Sequence, residues 1–136
     1  MQKTFNNPSV LSKGWYALTP FHKLKKGSVL SFQLLDRRIV LFRGENGKPC
    51  ALDSCCPHLG ADLSRGCVVG NQLQCEFHHW SFGSDGLCKE IPYRKEIPLS
   101  AKTFSYPIEE RFGYIWLFNG KNSSITFPDF EYFSED

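Results

Sequence analysis

Two short segments each bring a thiol and an imidazole into the chain: Cys56-Pro57-His58 and, sixteen residues further on, Cys75-Glu76-Phe77-His78. Thiolates suit iron-sulfur clusters and neutral imidazole suits iron. Together the four side chains make up the ligand set of a [2Fe-2S] cluster in which one iron is held by two cysteines and the other by two histidines. Each segment must then straddle the cluster, giving its cysteine to one metal and its histidine to the other. One residue between Cys56 and His58, and two between Cys75 and His78, permit this. The pattern constrains four residue types and three spacings together, which makes it far more specific than an isolated Cys-x-x-Cys.

The competing reading of these four residues is a structural Cys2His2 zinc site, a non-redox interaction module stabilised by metal. Zinc sites of that kind usually begin with two cysteines two to four residues apart, which the spacing here fits poorly. Cys55 adjoins Cys56 and offers an alternative donor, but the Cys-x-His spacing selects Cys56. The cysteines outside the motif, Cys50, Cys55, Cys67 and Cys88, read as small buried apolar residues in a reducing compartment, since a disulfide framework belongs to secreted chains.

The elements that must hold these loops are short strands. Turn-forming Gly, Pro, Asn and Asp punctuate the chain, and the expected class is all-β, with antiparallel sheets. Strands are expected at 15–18 (ending at Pro20), 29–35, 38–42 and 50–53. Asp36-Arg37 is the expected hairpin turn between the second and third, and Gly44-Glu45-Asn46-Gly47 turns into the fourth. The metal-binding loops and their strands fill about 54–91 as a subdomain inserted in a β base, with a tight turn at Gly70-Asn71. Strands at 106–110 and 114–118 pair across Arg111-Phe112-Gly113. The tail, 125–136, carries Phe127, Phe130, Tyr132 and Phe133, and reads either as packing back on the domain or as the start of a further segment.

At 136 residues the chain is one domain by length. Twelve Phe, five Tyr and three Trp supply bulk for its core. A net charge of +2 gives no reason to expect nucleic-acid or membrane binding. Lys25-Lys26 and Arg37-Arg38 read as solvated turn residues, and His22 as a solvated loop residue. No apolar run is long enough to span a bilayer, and residues 1–8 are unlike a secretory signal. The expectation is a soluble cytoplasmic protein.

The stretch Cys56-Pro57-His58-Leu59-Gly60-Ala61-Asp62-Leu63, then Gly66, then Leu73-Gln74-Cys75-Glu76-Phe77-His78-His79-Trp80-Ser81-Phe82, resembles the cluster-binding core of the Rieske family. Gly14-Trp15-Tyr16, Val40-Leu41-Phe42-Arg43, Gly86-Leu87-Cys88, Ile91-Pro92 and Gly113-Tyr114-Ile115-Trp116 resemble the flanking framework of the N-terminal domains of Rieske non-haem iron oxygenases. The resemblance covers nearly the whole chain. It implies the Rieske fold, one [2Fe-2S] cluster on Cys56, His58, Cys75 and His78, and one-electron transfer. A ferredoxin or flavoprotein reductase is the implied donor, and a non-haem iron oxygenase domain the implied acceptor. A stand-alone Rieske ferredoxin serving another redox enzyme is the alternative within the family.

Departures from the family's respiratory branch are informative. Members from cytochrome bc complexes join their two cluster loops by a disulfide; Ala61 and Phe77 hold the matching positions, so that bridge cannot form. Where those members place a Ser and a Tyr whose hydroxyls donate to sulfur at the cluster, this chain has Trp80 and Phe82. The implied potential is therefore at the low end of the range, about −150 mV rather than about +300 mV. Gly60 reads equally as a close approach to the cluster and as an ordinary turn glycine. Trp80 reads as a shield for the cluster. His79 reads as a surface or supporting residue, with ligation in place of His78 as the alternative. No histidine follows His79, so the family's later His-x4-His iron site is absent, and these 136 residues are expected to move electrons without bond chemistry of their own.

Overall fold

The structure is a computed structural model and describes residues 13–34, 36–120 and 127. Its strands are β1 (Trp15–Pro20), β2 (Val29–Leu34), β3 (Arg37–Arg43), β4 (Pro49–Asp53), β5 (Cys67–Val69), β6 (Gln72–Gln74), β7 (Ser81–Phe82), β8 (Cys88–Glu90), β9 (Ser105–Tyr106), β10 (Ile108–Arg111) and β11 (Tyr114–Phe118). They form three antiparallel sheets, ordered β1-β11-β10, β2-β3-β4-β9 and β5-β6-β7-β8.

The middle sheet explains the arrangement. Ile39-Val40-Leu41-Phe42 is a continuous apolar run, and successive side chains of a strand point to opposite faces. Ile39 and Leu41 accordingly enter one core with Leu24, Ala51, Tyr106, Ile115 and Leu117. Val40 and Phe42 enter a second, the upper core, with Leu52, Leu63, Leu73, Phe82 and, notably, Cys56, Cys75 and Trp80. One strand thus anchors both the base and the layer that carries the motif. Arg43 ends this strand as a buried cation. Its guanidinium donates to the carbonyls of Leu24 (2.6 Å) and Gly47 (2.5 Å) and pairs with Glu110 on β10, so its charge is matched and its donors largely engaged.

Several expected boundaries shift. Leu34 pairs with Arg37, so Arg37 is part of the ladder rather than of the turn expected at Asp36-Arg37; Leu35 lies outside the described residues. Arg37 and Arg38 are strand residues, not turn residues, because pairing continues to the strand end. The single strand expected at 106–110 is two: β9 pairs with β4, and β10 pairs with β11 in another sheet. Pro107 lies between them, with no N–H to offer a ladder. Arg111 pairs with Tyr114, leaving Phe112-Gly113 as the turn. Both have positive φ (53° and 76°), as a two-residue hairpin of the primed type requires. The Gly70-Asn71 turn is as expected, with Val69 opposite Gln72.

In the tail, Phe127 is buried edge-on against Trp15 and Trp116, so the chain packs back at that point. Phe130, Tyr132 and Phe133 lie outside the described residues.

Candidate metal centre

Two loops present the motif, one after β4 and one between β6 and β7. They repeat a single backbone pattern. The N–H of Cys56 donates to the carbonyl of Ala61 (2.8 Å), and that of Gly60 donates back to the carbonyl of Cys56 (2.8 Å). In the second loop the N–H of Cys75 donates to Trp80 (2.7 Å) and that of His79 to Cys75 (3.0 Å). Each loop is thus a turn closed at both ends by its own cysteine. Within it, His58 is the second residue after cysteine in one turn, and His78 the third in the other.

Folding the turns together sorts the donors by type. Cys56 and Cys75 are both buried, 2% exposed, in the upper core, and their thiols face each other. The imidazoles of His58 and His78 are exposed neighbours, with ring centroids 4.7 Å apart and planes at 69°. Trp80 stacks on His58 at 4.3 Å, nearly parallel at 10°, while Phe77 meets His78 edge-on at 4.4 Å. Leu59 and Phe77 project beside the rings, 67% and 63% exposed.

Burial pushes the Cys56 thiol up to about 11, and the nearby Cys75 pushes the same way; backbone N–H groups of His58 and Leu59 directed at the sulfur oppose this. A metal must therefore displace a proton from Cys56, and those N–H groups are placed to stabilise the thiolate that results. Among the described residues, no three His, Cys, Asp or Glu side chains close around one point as a single ion would need. A [2Fe-2S] cluster asks only two protein donors of each iron, whereas structural zinc takes four on one ion. Sulfur paired with sulfur and ring with ring suits the former.

Cys55 is exposed and Cys56 buried beside Cys75, so the geometry favours Cys56 as the donor. The reading of the spare cysteines as uniformly buried is corrected. Cys88 is buried and Cys50 half-buried, but Cys55 and Cys67 are exposed, since each sits on an extended stretch with its side chain on the outer face. His79 is exposed, and Phe82 is fully buried in the upper core. A side chain at Gly60 would meet no other atom of this chain; what singles the residue out is its φ of 77°.

One group escaped sequence reasoning. Asp62, just after the first loop, accepts hydrogen bonds from Ser54 Oγ (2.5 Å), Ser64 N–H (2.9 Å) and Ser64 Oγ (2.7 Å), and pairs with Arg38 at 2.9 Å. It caps the short 3-10 turn Leu63–Arg65 and ties the loop to β3. Arg38 is therefore structural rather than merely solvated. The Asp-x-Ser spacing was the available signal.

Comparison with known proteins shows the family. The family model for the Rieske [2Fe-2S] domain matches residues 14–107. The chain belongs to the Rieske [2Fe-2S] domain family, and it has the fold of the oxygenase members. It is 38% identical over 126 residues to a cholesterol 7-desaturase of Ciona intestinalis, covering 90% of this chain and 27% of that protein. It is 31% identical over 130 residues to the oxygenase component of a 3-ketosteroid-9-alpha-monooxygenase of Rhodococcus rhodochrous, covering 92% and 34%. Among solved structures it is similar to dicamba monooxygenase bound to dicamba, with a TM-score of 0.78 and 32% identity over 86% of this chain and 36% of that one. It is also similar to NdmA of Pseudomonas putida CBB5, with a TM-score of 0.73 and 32% identity over 81% and 34%. The chain thus spans about a third or less of the length of these relatives. Among the described residues no helix is long and apolar enough to cross a membrane.

Proposed function

We propose that this chain is the electron-transfer domain of an oxygenase-type system, accepting single electrons from a reductase and passing them to a non-haem iron site beyond these residues. When bound, the [2Fe-2S] cluster supplies a centre that takes up and returns one electron. Cys56 and Cys75, which are buried, would hold it as thiolates, and His58 and His78, which are exposed, would hold it as neutral rings. Trp80 fixes the plane of His58 and keeps water from one face of that ring. The exposed edges of the two imidazoles give a partner the shortest approach. Little needs to move as charge arrives, because both loops are closed on themselves by backbone hydrogen bonds.

The observation that carries this reading is the sorting of donors, with two thiols facing each other in the core and two imidazoles in contact at the surface. The redox reading predicts about two irons and two acid-labile sulfides per chain; one zinc and no sulfide would replace it with an interaction module. The relatives named for activity on cholesterol and on 3-ketosteroids favour a steroid as the final substrate of the complete system. Turnover of such a steroid by the complete protein with a reductase is the test, and failure with sterols and ketosteroids alike would reject that class. The four cysteines outside the motif, Cys50, Cys55, Cys67 and Cys88, are unbridged and suit a reducing compartment such as the cytoplasm. Fractionation that placed the protein in an oxidising compartment would contradict this.

A further inference from the structure

The small net charge hides an uneven distribution. Residues 1–35 hold five lysines and no acid, while 36–136 hold eleven basic and fourteen acidic residues. Three of those lysines, Lys23, Lys25 and Lys26, stand on the loop 21–28 between β1 and β2, where every residue from Phe21 to Gly27 except Leu24 is exposed. Leu24 is buried in the core of the base and pins the loop. Backbone bonds brace it at both ends: the Phe21 N–H donates to the Gly113 carbonyl (2.9 Å) and the Gly27 N–H to that of Arg43 (2.7 Å). The surface is thus built before any partner arrives, which lowers the cost of binding one.

The three lysines have no salt bridge among the described residues. Of the acids on neighbouring elements, Glu110 is paired with Arg43, and Glu45, in the turn against which Lys26 lies, makes no ion pair with them. At the head of the loop Phe21 is 49% exposed, its ring edge-on to His22, and Tyr114, 45% exposed, lies opposite Pro20. An adjoining open groove of about 700 Å³ is lined by His22, Lys23 and Lys25 together with Leu30 and Phe32, and by no acid. Lysines beside exposed aromatic residues make a surface that rests on anionic lipid: charge draws it to the headgroups, and the aromatic enters the boundary beneath them.

Building on the reading of a steroid as the final substrate, we infer that the loop 21–28 seats this domain on an anionic membrane surface, with Phe21 as its apolar anchor. Steroids dissolve poorly in water and partition into bilayers, so a system acting on them gains by resting where they collect. That need selects lipid, rather than an acidic protein, as the occupant. The placement suits it as well. One end of β3 holds the first metal loop, where the Ser54 N–H donates to the Arg38 carbonyl (3.0 Å) and Arg38 pairs with Asp62. The other end holds the lysine loop through Arg43 and the Leu24 carbonyl. The strand rises about 3.3 Å per residue, which separates the two ends by roughly 17 Å and leaves His58 and His78 clear of the lipid.

The test is flotation of the iron-loaded chain, and of the complete protein, with vesicles. Both should rise with phosphatidylcholine vesicles carrying about a third phosphatidylserine but not with phosphatidylcholine alone, and salt should release them. Lys23→Gln, Lys25→Gln and Lys26→Gln together should weaken binding about a hundredfold, and each alone about fivefold. Phe21→Ser should lose about tenfold. All four side chains are exposed, so melting temperature and iron content should match the parent's; if the triple variant melts early, the single ones carry the test. Equal binding to neutral vesicles, unchanged affinity in the variants, or no vesicle binding by the chain or the complete protein overturns the inference. So does capture by immobilised polyglutamate without binding to vesicles, which would make the loop a protein-docking site. None of these results touches the electron-transfer or steroid readings, because no turnover is measured. A complete system that binds vesicles yet turns over no steroid would reject the substrate class alone.

Discussion

Gly60 and His79 occupy the same place in two turns of one hydrogen-bonding pattern. Each donates its N–H to the carbonyl of the cysteine four residues before it, and each has positive φ, 77° and 59°. Glycine adopts that conformation freely, whereas histidine is strained there by about 1–2 kcal/mol. His79→Gly should therefore retain the metal and gain up to about 1 kcal/mol, the glycine's greater unfolded-state freedom taking back part of the relief. Denaturant unfolding with iron analysis checks this. Loss of iron in His79→Gly would mean that His79, not His78, is the ligand.

Trp80 is buried in the upper core and stacks on His58. Trp80→Ala should cost about 3–5 kcal/mol by the usual scale for a buried aromatic, while Trp80→Phe should retain most of the stability and the metal. Equal unfolding midpoints for Trp80→Ala and the parent would show that the stacking matters little.

Asp62 yields a pH dependence of known sign. Partial burial would raise its pKa, but hydrogen bonds from Ser54, from Ser64 and from Arg38 outweigh that and hold it at about 2, below the ordinary 3.8. A carboxyl depressed in the folded state stabilises the fold above its unfolded pKa, and that contribution fades as pH falls from near 4 through about 2. Asp62→Asn should have a flatter melting profile across that window, while Asp62→Ala, which also removes the cap, should cost about 0.5–2 kcal/mol at neutral pH. Parallel profiles for Asp62→Asn and the parent would contradict the assignment.

The family was legible because iron chemistry constrains residue type and spacing jointly, as at Cys56-x-His58 and Cys75-x2-His78. The alternating and apolar strand patterns were legible for a similar reason: the run at 39–42 must be buried on both faces. Less visible was anything decided by partners distant in sequence. Arg38 looked like a solvated turn residue until its pairing with Asp62, twenty-four positions on, was known. The switch between sheets at Pro107 also escaped, since the apolar pattern continues through it. The equivalence of Gly60 and His79 had no sequence signal, because one turn holds its histidine a residue later than the other.

The redox potential follows from what surrounds the site. Trp80 and Phe82 are buried apolar side chains without a hydroxyl where respiratory relatives place hydrogen-bond donors. A redox titration should give a midpoint toward about −150 mV. A value well above 0 mV would mean that other donors act on the cluster.

The central claim, that Cys56, Cys75, His58 and His78 hold a mixed-ligand diiron cluster, is met most directly by electron paramagnetic resonance of the iron-loaded protein reduced with dithionite. The account predicts a rhombic signal from one unpaired electron per chain, lost in His58→Ala and His78→Ala. A protein that stays silent after reduction despite full iron supply, or one that keeps an unchanged signal in those variants, would contradict it.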